Sequence, residues 1–335
     1  MPKGDISLDR STRRAWERIL GKIEKQFNST IYQCLVPGCT RNAIGSHSQQ
    51  KAGQLHAIAR NGQVYALERN LYKAFKGQYW QDSILLLTPA GLKEASVFPG
   101  YCAPHDALLF EPIEKRAFCQ NDPEQAYCLF LRALSYEFSQ KRRMTSLLRS
   151  FGNEAKAKGL PFDHEYFNYY LKGMEYFLIK DAPYYFHNAF NVDGKTVKDW
   201  LMWSWRVIPK RLGASCTCCF SPLQSHHDSY MAAHFGEPQP LLAFSLIPQL
   251  AETHVVLCWH RQHTKLVEPL EAKLHDADYL EEFINECALV ESEDTCFNPD
   301  LWESASEAER LAVLNAMRHR LFRGPLDKIP RLIRL

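Results

Sequence analysis

The sequence predicts an α+β chain: a small turn-and-hairpin module, a central helical hairpin, and a C-terminal antiparallel sheet packed with helices. Three observations predict it. Apolar residues recur at helical spacing near the start and again from about 122 to 180. Short apolar or β-rich runs between turn-like separators follow from about 200. Helical patterns then return at 266–289 and 305–322. The shifts in pattern divide the chain into 1–120, 121–195 and 196–335.

The elements follow in order. Asp9 or Ser11 can cap a first helix whose apolar stripe is Trp16, Leu20, Ile23 and Phe27. Cys34-Leu-Val-Pro-Gly-Cys39 places a Pro-Gly turn between two cysteines. After Ser46-His47, residues 50–60 read as helical, with Leu55 and Ile58 on one face. Asn61-Gly62 is a turn before the strand-like QVYAL. ILLLT (84–88) and LKEASVF (92–98) flank Pro89-Ala90-Gly91 and read as a β-hairpin. Tyr127, Phe130, Leu131 and Leu134 begin a long helix. Phe167, Tyr170, Leu171, Met174 and Phe177 stripe a second, which completes a helical hairpin for packing or dimerisation. ASCTCCFS (214–221), LLAFSLI (241–247) and THVVLCWH (253–260) supply the antiparallel sheet.

The chain has 335 residues, 46% hydrophobic and 23% charged, enough apolar material for a buried core and against global disorder. Net charge is +2, so the distribution matters more than the sum. Lys141, Arg142, Arg143, Arg149, Lys156 and Lys158 face one acid, Glu154. Arg318, Arg320, Arg323, Lys328, Arg331 and Arg334 face Asp327. Such runs suit contact with DNA or RNA backbones, or are simply solvated faces. The start, MPKGDISLDRST, is polar and charged, unlike a secretory leader. No apolar run reaches the about 20 residues that span a bilayer. Eleven cysteines without a leader predict reduced thiols and metal ligands in a cytoplasmic protein.

Zinc takes four Cys or His ligands in a tetrahedron, delivered as two close pairs on tight turns. Cys34/Cys39 is one pair and Cys102/His105, in YCAPHDALLF, is the other. Pro104 opens a short helix beside the second pair. Turn, hairpin and helix start, in that order, predict a small treble-clef zinc module. Four filled positions make the ion structural.

With Ser46-His47 between the pairs, the segment from about 30 to 112 resembles the HNH (ββα-metal) nuclease superfamily. The resemblance implies that His47 on the first strand is the general base that activates water. It implies that Asp106, aligned with the family's final metal-binding position, helps hold a catalytic Mg²⁺ or Mn²⁺ on the scissile phosphate. Two other readings of the same residues stand beside it. His47 can be the fourth zinc ligand with Cys34, Cys39 and Cys102, leaving Asp106 to orient His105. Asp106 can instead cap the helix. The broader pattern, with Cys102, His105, Asp106 and the tail LLFEPIE, is similar to a family of bacterial proteins, and implies a setting in antiviral defence.

A second metal site can be drawn from His226, His227, His260 and His263, near Cys216, Cys218, Cys219 and Cys258. Alternate cysteines in a strand otherwise share a face and behave as small hydrophobes. Cys119, Cys128, Cys287 and Cys296 lack ligand spacing and read as core thiols. Trp200, Trp203 and Trp205 in DWLMWSWR can stack on bases, or form core and interface. Three readings of function follow: a metal-dependent endonuclease; a non-catalytic zinc-stabilised binding, sensor or interaction protein with a homo-oligomeric or protein partner; and an enzyme whose site lies in the C-terminal half, around His226, His227 and His260.

Overall fold

The computed structural model describes residues 10–68, 87–160, 164–190, 196–222, 238–322 and 328–335. The fold is α+β. Helix α1 (Arg10–Asn28) leads to β1 (Gly45–His47), β2 (Gln63–Leu67), β3 (Leu87–Gly91) and β4 (Val97–Pro99), then α2 (Ala103–Leu109). A long helix α3 (Pro123–Ala157), α4 (His164–Tyr176) and α5 (Ala182–Ala189) form the middle. Strands β5 (Leu201–Ile208), β6 (Ala214–Phe220), β7 (Leu242–Pro248) and β8 (Thr253–His260) follow. The chain ends with α6 (Thr264–His275), α7 (Ala277–Asn285), β9 (Cys296–Phe297), α8 (Pro299–Ser304) and α9 (Glu307–Phe322). Among the described residues, no helix is long and apolar enough to cross a membrane.

Among the described residues, seven strands pair antiparallel in the order β3-β2-β9-β6-β7-β8-β5. The central strands read as unbroken apolar runs because both faces are covered. Cys216, Cys218, Phe244 and Leu257 pack under α6, α7 and α9. Cys219, Ala243, Val256 and Cys258 pack on the other face, against the first half of α3. DWLMWSWR supplies β5 at one edge, with Trp200 and Trp205 buried. Asp122 caps α3 by accepting the Glu124 and Gln125 amides at 2.8 and 3.1 Å. The α3–α4 hairpin forms as the sequence predicts, tied by Arg149 to Glu175 at 2.6 Å.

Two expectations are overturned. Pro89-Ala90-Gly91 is not a turn; it lies within β3, which pairs with β2, Pro89 opposite Tyr65. Residues 84–86 lie outside the described residues. A proline is tolerated there because β3 is the sheet edge, where its missing N–H breaks no ladder. The later half of the expected hairpin goes elsewhere: β4 pairs with β1, His47 opposite Val97. Cys119 is exposed, and is no core thiol, whereas Cys128, Cys287 and Cys296 are buried.

His254 is buried on β8, opposite Val207 of β5. Trp205 Nε1–H donates to its Nδ1 at 3.0 Å, and Nε2 lies 3.1 Å from Glu252 Oε1. Accepting at Nδ1 makes Nε2 the protonated nitrogen, so a second proton would break the Trp205 bond. Burial holds the His254 pKa below its ordinary value of 6.5, against the pull of Glu252. The unfolded chain therefore takes up that proton first as pH falls. Stability from neutral His254 is full above about 6.5 and is lost on acidification below it. Thermal unfolding at pH 7.5 and 5.0 checks this: a His254→Gln variant shows a smaller drop in Tm between the two than wild type.

Candidate metal centre

The first ligand pair is set by a turn. Val36 C=O accepts the Cys39 amide at 3.1 Å across Pro37-Gly38, and Gly38 has φ +76°. Proline followed by a left-handed glycine is the type II pattern, and brings Cys34 and Cys39 to one side. Cys34 N–H donates to Arg41 O at 2.9 Å and closes the loop. Leu35 N–H donates to Gly100 O at 3.0 Å and Ile44 N–H to Tyr101 O at 2.7 Å, so the loop lies along the strand leading to Cys102. Gly100 leaves room for the Phe98 side chain: a Cβ there would meet its ring at 2.6 Å. Cys102 is the residue before α2, with Pro104 in the first turn, and His105 follows within that turn. Asp106 N–H donates to Cys102 O at 2.9 Å.

These elements bring Cys34, Cys39, Cys102 and His105 together, with their ligand atoms all within 4.8 Å of one another. Cys39 Sγ lies 3.9 Å from Cys102 Sγ, and Cys34 Sγ lies 3.3 Å from His105 Nδ1. Ideal tetrahedral zinc, with bonds of about 2.3 Å to sulfur and 2.0–2.1 Å to nitrogen, sets these separations near 3.8 and 3.5 Å. The donor set, the count and the spacing all fit a metal ion such as zinc. Burial pushes the Cys34 thiol up. Burial also acts on Cys102, but its hydrogen bond from the His105 backbone amide, its contacts with Cys34 and Cys39, and the Arg41 charge bring it below the ordinary thiol range.

His105, not His47, supplies the nitrogen of this cluster. His47 lies on β1, where its Nδ1–H donates to Ala95 O at 3.1 Å and leaves Nε2 without that bond. Burial, opposed by the Ala95 bond and followed by the charges of Arg132 and Lys51, lowers its pKa below 6.5. Ala95 is held in place by Ser96, whose φ of +56° is left-handed for a non-glycine residue. Asp106 does not cap α2, whose start carries no side-chain cap. Its Oδ1 is buried without a hydrogen-bond partner.

Sequence reasoning missed Arg132 and Glu114. Arg132 is 2% exposed, stacks 4.4 Å over Phe110 and bonds Glu114 through Nη2. Nothing local in the sequence marks an arginine in an apolar helix face as an electrostatic neighbour of His47. Of the second proposed cluster, His226 and His227 lie outside the described residues. His260 and His263 have ring centroids 6.0 Å apart; Tyr184 Oη is 3.5 Å from His260 Nε2, and Tyr185 Oη is 3.1 Å from His263 Nε2. Among the described residues they gather no third ligand.

No family model, curated protein or solved structure matches the chain.

The cluster predicts the behaviour of its variants. Purified protein holds about one zinc per chain, as one filled four-ligand site requires. Cys102→Ser or His105→Ala loses the ion and lowers Tm by roughly 10 °C or more, as loss of a structural metal does. His47→Ala keeps it. Metal analysis with thermal unfolding reads all three, and loss of zinc in His47→Ala would move His47 into the ligand set.

Proposed function

We propose that the Cys34/Cys39/Cys102/His105 cluster holds a structural zinc ion, and that this ion fastens a treble-clef, HNH-like ββα module that hydrolyses phosphodiester bonds in nucleic acid. Bound zinc would supply a four-coordinate cross-link between the two ligand turns, with no open position for substrate. Chemistry therefore falls to the adjacent strand.

The observation that carries this reading is the fixed, neutral His47. Its Nδ1–H is committed to Ala95 O, which sets the tautomer and leaves Nε2 as the basic atom. Its lowered pKa keeps it unprotonated at neutral pH. In the reaction, His47 Nε2 takes a proton from water. The water oxygen bonds phosphorus as the ester P–O bond breaks, and the departing alkoxide takes a proton from solvent. Asp106 is the carboxylate that would hold a divalent Mg²⁺ or Mn²⁺ to offset the phosphate charge. Its Oδ1 has no partner in the chain, as a ligand atom would not. The setting that the sequence pattern implies is bacterial antiviral defence.

A non-catalytic reading, in which the zinc module is a rigid binding element, draws on one observation. Asp106 Oδ1 is shut off from solvent, so a cation has no direct route to it.

Nuclease assays with Mg²⁺ or Mn²⁺ decide between them. His47→Ala is expected to lower the rate by about 100-fold or more, the scale of a lost general base. The wild-type rate falls as pH drops, with its midpoint below 6.5, because the base must be neutral. An inactive wild type, or an active His47→Ala, returns the module to the binding class.

A further inference from the structure

Among the described residues, most cations of the basic run after Lys141, and two of the tail run, already have partners within the chain. Arg142 stacks over Tyr32 at 4.4 Å and Phe138 at 5.4 Å, and Arg143 over Phe27 at 4.4 Å. Lys141 pairs with Glu137, Arg149 with Glu175, and Lys158 with Glu154 at 3.7 Å. In the tail, Arg331 reaches Glu282 at 3.6 Å and Arg334 reaches Glu309 at 3.1 Å.

Helix α1 is different. Its apolar face is used up on α3: Trp16 stacks on Phe151 at 4.6 Å, and Ile19 and Ile23 pack with Leu147 and Ala155. Among its described side chains, the exposed ones are Arg10, Arg14, Arg18, Lys22 and Lys25, with Ser11, Gln26 and Asn28. Glu17 and Glu24 are half-buried. Lys22 pairs with Glu154. Arg14, Arg18 and Lys25 have no ion pair among the described residues.

This arrangement opposes helix stability. Arg10, Arg14, Arg18 and Lys22 are each four apart, which stacks like charges on neighbouring turns. Arg10 opens the helix with no acid in the first turn, so its charge also opposes the helix dipole. An anionic polymer laid along the face would relieve both costs. Arg14 and Lys25 lie about 16 Å apart along the axis, matching about five phosphates on one strand of a duplex.

We propose that the exposed face of α1, through Arg14, Arg18 and Lys25, binds the phosphodiester backbone of a nucleic acid. A bilayer surface fits less well, because the apolar face that would enter it is packed on α3. The proposal rests on the reading above for its polymer, and adds the surface that holds it.

The test is equilibrium binding to DNA and RNA duplexes of about 20 base pairs, without added divalent metal, across a salt series. Wild type should bind at low salt and weaken as salt rises. The R14Q/R18Q/K25Q variant should lose about 2–3 from the salt slope and bind at least about ten-fold more weakly at 0.1 M salt. Its Tm should stay within about 2 °C of wild type, since the like-charge contacts removed offset the loss of Lys25 from the last turn, where it favours the helix dipole. Arg149→Gln, which removes an internally paired cation, should stay within about two-fold of wild type. The proposal is overturned if wild type binds neither duplex, if it binds only anionic phosphatidylserine vesicles, or if the triple variant keeps wild-type affinity. Preference between the two duplexes identifies the polymer. Wild-type binding without cleavage in Mg²⁺ retires the hydrolysis and leaves this surface standing. Cleavage by a triple variant of unchanged affinity does the reverse.

Discussion

The position of the N-terminal module is set by the hydrogen bond from Ser48 to the Asp294 carboxylate. Both residues are 2% exposed. A carboxylate shut from water is costly unless it is bonded, so this contact specifies one arrangement. Around it the seam continues. Gln49 donates to Asp294 O and accepts from Ser215 Oγ at 2.5 Å, while Gln54 donates to Leu246 O at 3.0 Å. Through these bonds the residues after His47 are locked to β6, β7 and the turn before β9. The segment after β1 also contributes β2, which joins the large sheet through Tyr65 opposite Phe297. The module and the sheet thus share a polar seam and a strand ladder.

The seam explains how very short strands survive. β1 and β4 are three residues each, too little to stand alone in water. They are clamped on one side by Ser48 and Asp294 and on the other by the cysteine cluster. Ser46 lies between, accepting the Tyr101 amide at 3.1 Å. Tyr101, fully buried, bonds Ser135 on α3. The ligand pairs therefore meet on a frame anchored to both the sheet and the long helix, and a bound ion would add to order already present.

The metal half-sites were legible because each is local. A Pro-Gly turn between two cysteines, and a Cys-x2-His at a proline-opened helix, encode their own geometry. The central strands were legible because burial on both faces makes them continuously apolar. What failed was pairing at a distance. Nothing within LTPAG says that its partner is QVYAL rather than the next apolar run, since an edge strand with a proline looks like a turn. Several partners of the basic run after Lys141 were hidden for the same reason. Tyr32, Phe27 and Glu175 are remote in sequence, and a cation stacked on a ring reads like a solvated one. Arg132 was hidden similarly, because its acid, Glu114, lies on another helix.

Ser96 shows how the candidate site depends on this frame. A serine at φ +56° is strained, and such strain persists only where the surroundings enforce it. Here Ser96 is fully buried, and its carbonyl accepts the Ser48 amide at 2.9 Å. The preceding carbonyl, of Ala95, then points at His47 Nδ1. With ordinary backbone angles at Ser96, the two successive carbonyls could not serve Ser48 and His47 in this way. The left-handed turn therefore selects the His47 tautomer, and the Ser48–Asp294 bond holds the turn. The basic character of Nε2 is thus a property of residues as far along the chain as Asp294, and no reading of Ser46-His47 alone could reach it.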